Sequence, residues 1–381
     1  MATPNVVSIK KHFAPLQDPR IRGRKRHRLL DIIVIALCGV IADCDTWQDI
    51  AIFAQKRAAW LRRFLRLPHG IPSHDTLERV FDRLNPQVFA ACFCRWVQSL
   101  SEVLEDAHVA IDGKTLRRSL ARSQGLRPLH LVSAWATRQS LALGQVTVDA
   151  QSNEITAIPK LLALLDLKGA LVTVDAMGCQ KEIAQTIVAA GADYILTVKE
   201  NQERLLADIQ STVQQALDGD LPATTISQHT TRQRGHGRQE ERSYLVIDDL
   251  RGIRDRAQWP QLQAVGMCYS ERTINGQTST EVRYFIGSAD RGARYYGRAL
   301  RDHWRIENSL HWQLDVTCSE DDSRIQRRNG AANFALLRRV AISLLKQNPS
   351  TRSLRGKRKM AALDTSFLEE LLRGSRQVEK V

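Results

Sequence analysis

Cysteine is present in this chain without any pattern that would make it structural. The seven residues are an odd number and include no Cys-x-x-Cys pair; Cys92 and Cys94 form a Cys-x-Cys, and the others are scattered. That excludes a disulfide framework and a zinc ribbon, and predicts buried thiols in a reducing compartment. A membrane-length apolar run is also missing. The nearest candidate, Leu29 to Ala42, is too short for the roughly 20 residues a span needs, carries Asp31 and starts far from the N-terminus. It reads as a buried core helix. No targeting signal remains, so the expected location is the cytoplasm, with no membrane partner. Internal repeats and low-complexity tracts are absent too. Acidic residues are in deficit: 41 Asp and Glu against 55 Lys and Arg give a net charge of +14. Such an excess favours a phosphate-rich partner, because cations that neutralise phosphates release counterions. Charge alone is equally compatible with a merely basic protein.

What is present fills two or three domains, since the chain has 381 residues with 43% hydrophobic and 25% charged. Residues 1–28 form a basic arm in which Arg22, Arg24, Lys25 and Arg26 crowd together. The arm is read equally as a solvated segment or as one lying on DNA phosphates. Residues 29–105 read as helices. One starts near Asp75, with Glu78 completing a capping box, and another has Pro86 in its first turn. Arg79 and Arg83 on the first of these face a DNA groove if the helix docks there; packing among helices is the plainer reading. From residue 106 to 217 the pattern becomes β-β-β-α-β-α-β-α, a mixed sheet. Residues 218–290 read as a β-rich insertion with an Asn275-Gly276 hairpin turn. Helices return over 291–347, and 348–381 is a basic, mobile tail.

Three carboxylates stand where metal chemistry uses them. Asp112 sits near the end of the strand HVAIDGKTL, Asp175 near the end of the strand GALVTVDAM, and Glu307 lies in the helical stretch HWRIENSLHW. Two adjacent strands would bring both aspartates to one sheet edge, with the glutamate arriving from a packed helix. Convergent oxygens suit Mg2+ or Mn2+, and a pair of such ions assists phosphodiester cleavage. Any one aspartate at a strand end is more often a turn residue; their joint placement raises the odds. Gly113 and Gly178 leave space beside each aspartate, and Lys114, Arg117 and Arg118 offer phosphate contacts. His303, Glu307 and His311 recur every four residues and are expected on one helix face. His-x3-Glu-x3-His is not a compact zinc signature. Asn308, Asp315, Glu320, Asp321 and Asp322 add carboxylates and an amide that leave the third ligand ambiguous. Trp304 and Trp312 are expected in the core.

These motifs in this order resemble the DDE transposases of bacterial insertion sequences, most closely the H-repeat-associated family. The segments that carry the resemblance are AIDGKTLRRS, VDAMGCQKEIA, DYILTVKENQ, RGHGRQEER, HWRIENSLHWQLDV and EDDSRIQ. The resemblance implies an α/β fold with an RNase H-like mixed-sheet catalytic core, an N-terminal helical domain and a β-rich insertion. It implies that Asp112, Asp175 and Glu307 hold the metal ions, that element ends are cut, and that the freed 3′-hydroxyl joins target DNA. Pairing two ends implies at least a homodimer on DNA. The wider class carries Tyr-x2-Arg-x3-Glu-x6-Lys, but here those positions hold Leu300, His303, Glu307 and Leu314; Arg305 is the nearest arginine. Lys199, Asn201 and Gln202 match a family turn and read as a helix cap or a substrate contact. His236 and Arg238, in the GHGR stretch, suit a turn touching the DNA backbone or a plain hairpin loop. Two other readings stay open: a DNA-binding protein without catalysis, and an RNase H-like nuclease that does not join strands.

Overall fold

Helix-forming and strand-forming stretches separate cleanly along the chain. The helical elements are α1 (Val6–Phe13), α2 (Leu29–Ile41), α3 (Trp47–Lys56), α4 (Ala58–Leu61), α5 (His74–Phe81), α6 (Pro86–Gln98), α7 (Glu154–Leu162), α8 (Lys181–Ala189), α9 (Glu203–Asp218), α10 (Ala293–His303), α11 (Trp312–Val316), α12 (Gly330–Gln347), α13 (Leu354–Leu363) and α14 (Thr365–Arg373). The strands are β1 (His108–Thr115), β2 (His130–Ala136), β3 (Leu141–Thr147), β4 (Leu171–Val174), β5 (Asp193–Val198), β6 (Ile226–Gly235), β7 (Arg238–Ile247), β8 (Ala264–Ile274) and β9 (Gln277–Gly287). The computed structural model describes residues 6–21, 23, 25–99, 107–119, 128–149, 152–235 and 237–373. Two units contain them. One gathers the described residues of Met1–Val103, Gly113–Asn153 and Ile306–Val381, the other those of Leu104–Asp112 and Glu154–Arg305.

The first unit is built on α2, the apolar run read from the sequence, and on α12. Eleven of the thirteen residues of α2 are buried. Each buried Ile, Val or Leu contributes roughly 1.5–3 kcal/mol, which offsets the burial of Asp31, whose carboxylate accepts the Leu67 N–H at 3.1 Å. An aromatic cluster joins the surrounding helices. Trp47 stacks on Phe81 at 4.8 Å and meets Phe334 edge-on at 4.8 Å, while Phe89 contacts Phe93. Asn85 caps α6, with Pro86 at the start as expected. The cap of α5 differs from expectation: Ser73, not Asp75, accepts the Thr76 N–H, and Asp75 sits inside the first turn. β2 and β3 form an antiparallel pair beside the last residues of β1.

The second unit holds the sheet β1-β4-β5-β9-β8-β7-β6. β1, β4 and β5 run parallel, and α7 and α8 make the crossovers that parallel pairing demands. β9 is antiparallel to β5, so the β-rich insertion continues the sheet instead of standing apart from it. Asn275 and Gly276, both at positive φ, close the two-residue turn between β8 and β9. β6 was not legible as a strand; its sequence ISQHTTRQRG is polar because its side chains are mostly exposed. Together the units are a mixed α/β architecture with an N-terminal helical part and an RNase H-like mixed sheet.

Of the stretch read as a mobile basic tail, Leu354–Leu363 and Thr365–Arg373 are instead helical and packed within the first unit, and residues 374–381 lie outside the described residues. Ser353 caps α13, and its Lys357 and Arg358 are buried. Lys357 donates to the carbonyls of Leu345 and Asn348, and Arg358 pairs with Asp43 and Asp45 at 2.9 Å each.

Candidate active site

In the second unit, parallel pairing aligns Ile111 on β1 with Val174 on β4. The next residues, Asp112 within β1 and Asp175 just past the end of β4, therefore lie where the pairing of these two strands ends. Both are half-buried. Asp175 opens a short 3-10 turn, Ala176–Gly178, and accepts the Gly178 N–H at 3.3 Å. A Cβ on Gly178 would lie 2.2 Å from Val174 Cγ1, so this turn approaches its strand more closely than any side chain permits. Asn201 Nδ2 donates to the Ala176 carbonyl at 2.8 Å and Gln202 Nε2 to the Cys179 carbonyl at 2.9 Å. Those two side chains brace the Asp175 turn, while Lys199 stays exposed. Burial, and then the negative charge of Glu154, push the Asp175 carboxyl above the ordinary carboxylate range. A cation bound at this carboxylate would oppose both effects.

Beneath this point, Thr173 Oγ1 lies 2.8 Å from His108 Nε2 and 2.9 Å from His303 Nδ1. A hydroxyl can donate to one ring and accept from the other, so the pair ties β1 and α10 to β4. Burial drives His303 down to about 4, which keeps it neutral. Arg305 pairs with Asp302 at 3.0 Å. Trp304 is 40% exposed, with the Arg283 guanidinium 4.5 Å over its ring. The expectation that it lies in the core fails because α10 ends there and the indole turns outward.

In the first unit, Glu307 begins a π-helical turn, Glu307–His311, and is exposed. A π turn inserts an extra residue into the helical repeat. His303 is buried in the second unit, whereas Glu307 is exposed in the first. Burial, then the charges of Arg339 and Lys114, push His311 down to about 3. Trp312 is 53% exposed, again against expectation. The cations nominated for phosphate have carboxylate partners. Lys114 binds both oxygens of Asp315 at 2.8 Å, Arg117 reaches Asp321 at 3.5 Å, and Arg118 reaches Asp322 at 3.1 Å. Asp315, Asp321 and Asp322 thus face a basic strip, whereas Glu320 is buried against Arg339 at 2.8 Å, an ordinary complementarity that linear spacing hides.

Elsewhere, Lys25 lies 3.6 Å from Asp18, and Arg26 is exposed. Arg79 is exposed and donates to the Asp75 carbonyl at 3.0 Å. Arg238 joins Arg242 and Arg272 around the buried Glu240. Arg22, Arg24 and His236 lie outside the described residues. Among the described residues, no group of three or more His, Cys, Asp and Glu side chains is arranged to hold one metal ion. No helix among them is long and apolar enough to cross a membrane. All seven cysteines are buried and free.

Comparison with known proteins bears on this geometry. A model of the transposase DDE domain matches residues 104–344, and one described as DDE_Tnp_1-associated matches residues 10–97. The protein named "H repeat-associated putative transposase YhhI" of Escherichia coli (strain K12) is 36% identical, over 96% of this chain and 98% of its own. An "Uncharacterized protein in dhlA 3'region" of Xanthobacter autotrophicus is 41% identical, over 73% of this chain and 94% of its own. A solved structure of piggyBac transposase, in a synaptic complex with hairpin DNA, aligns over 98% of this chain and 80% of that one. Its identity is 11% and its TM-score 0.40.

Proposed function

The chain belongs to the family of transposases with a DDE domain, and from that membership we propose that it cuts the ends of an insertion sequence and joins the freed 3′-hydroxyl to target DNA. The observation that carries this reading is the register Ile111 opposite Val174, which delivers Asp112 and Asp175 to the place where the pairing of β1 and β4 ends. Their hard oxygen donors fit Mg2+ or Mn2+. We assign Asp112, Asp175 and Glu307 as the residues that hold the ions. Bound there, a divalent ion supplies Lewis-acid chemistry at phosphate. The turn after Asp175 is held by Asn201 and Gln202, so the carboxylate is preorganised. Arg117 and Arg118 exchange exposed ion pairs, each worth only about 0–1 kcal/mol, for DNA phosphates. The basic arm and the helices of residues 29–105 hold element ends, and two copies of the chain pair them.

The test uses purified protein with Mg2+ on a plasmid carrying the gene and its native flanks, beside Asp112→Ala. Cuts that map to the flanks, vanish in the variant and leave DNA affinity unchanged within about twofold are expected. Tight binding with no cuts in either sample would instead make this a DNA-binding protein without catalysis. Cuts without any joined product would make it a nuclease.

A further inference from the structure

A cavity of about 550 Å³ opens in the first unit, and none of Asp112, Asp175 and Glu307 is in its lining. That volume falls within the roughly 300–1,000 Å³ of small-ligand sites. Arg338, on α12, lines it. This arginine is 1% exposed, its Cζ lies 4.4 Å over the Phe334 ring, and its Nε and Nη2 find no acceptor among the described residues. Trp47 lines the same cavity, packs on the same phenylalanine, and its indole Nε1 also finds no acceptor among them. Buried donors of this kind are nearly always bonded, and a buried guanidinium is the costliest to leave without an acceptor. Two such side chains in the lining of one cavity point to a ligand rich in acceptors.

The backbone adds to this. Trp47 and Gln48 open α3, and His74 opens α5; all three border the cavity. First-turn N–H groups have no acceptor inside their own helix, and helix N-termini carry partial positive charge. Thr46 Oγ1 accepts the Asp49 N–H at 3.1 Å and donates to the Asp49 carboxylate at 2.7 Å, so it is not among the donors offered to a ligand. Three carboxylates also border the space. Asp45 is held by Arg358 at 2.9 Å and Asp322 by Arg118 at 3.1 Å, which leaves Glu78 as an opposing charge at the rim.

We propose that this cavity is a phosphate-binding site, with Arg338, the Trp47 indole and the start of α3 as its donors. The phosphate is either free or a backbone group of DNA, and the chemistry of capture is the same for both. The site does not depend on strand cleavage.

Thermal unfolding of the full chain is measured with sodium phosphate against sodium chloride at matched ionic strength. Phosphate should raise Tm by several degrees, and the rise should disappear in Arg338→Gln. Since Arg338 is buried and that variant risks misfolding, Gln48→Glu is the second probe. Gln48 is exposed in the first turn of α3, where a carboxylate favours the helix while repelling an anion. It should fold normally and weaken phosphate binding at least tenfold, whereas Glu78→Gln should tighten it. No phosphate-dependent shift in the natural chain, or the same shift in Gln48→Glu, overturns the proposal. Anisotropy of a labelled duplex then separates the sources. If phosphate competes with DNA and Gln48→Glu weakens both, the occupant is a DNA phosphate. If only the phosphate response changes, the occupant is free phosphate. Because neither readout requires catalysis, loss of this site is distinguishable from loss of the assignment of Asp112.

Discussion

Gly178 is where a single atom has the clearest consequence. A methyl group there would sit 2.2 Å from Val174 Cγ1, and relieving such overpacking costs about 1–3 kcal/mol. The turn carrying Asp175 must shift to make room, so Gly178→Ala should lower cleavage at least tenfold while duplex affinity stays unchanged; equal loss of both would mean a folding defect. His303 sets a pH dependence. Its folded pKa of about 4 lies below the ordinary 6.5, so the unfolded chain binds the extra proton between those values. Stability is then full above about pH 6.5 and falls as pH drops towards 4, by up to about 3 kcal/mol from this group at 1.36 kcal/mol per pH unit. His311, with a folded pKa near 3, acts in the same direction. Denaturation midpoints at pH 7 and pH 5 should differ, and His303→Gln should reduce the difference. At this scale the sequence nominated the aspartates as candidates, because each lies near the end of a β-type apolar run. It did not identify Asn201 and Gln202 as braces, because their acceptors are carbonyls more than twenty residues away.

At the scale of elements, α13 departs furthest from its sequence reading. A run such as RSLRGKRKMAA looks solvated, since nothing in it announces a partner. Its Arg358 is nevertheless fully buried, pairing with Asp43 and Asp45 and donating to the Val40 carbonyl at 3.1 Å. Removing one partner of a buried pair costs about 3–5 kcal/mol. Because Asp43 and Asp45 keep partial access to water, Arg358→Met should cost close to 3 kcal/mol, read as a lower denaturant midpoint with an unchanged slope. A loss under about 1 kcal/mol would show that α13 contributes little to the first unit. β6 was hidden for the opposite reason: its partly buried face carries Ser227, His229 and Thr231, so burial alternates without any alternation of apolar and polar residues to read. The β8–β9 hairpin was legible because Asn-Gly supplies the positive φ its turn requires.

Over the whole molecule, a net charge of +14 predicts DNA binding that weakens steeply with salt, but ion pairing makes the effective charge smaller than the count of cations. Arg117→Ala should reduce the salt slope by about one unit, since its side chain is 84% exposed. Lys114→Ala should leave the slope unchanged, because both Asp315 oxygens hold that ammonium and its side chain is only 10% exposed. Equal slopes for the two variants would contradict this division. The sequence alone determined the family, the α/β character, the core helix α2 and the order of the three carboxylates. All of these rest on local composition, periodicity and motifs. Only the tertiary structure decided that β9 pairs with β5 and extends the sheet, which cations face carboxylates, that α13 is docked, and that Arg338 lies buried beside Trp47. Each of those depends on contacts between residues far apart in the chain, where pairing and burial change what a charge or a donor can do.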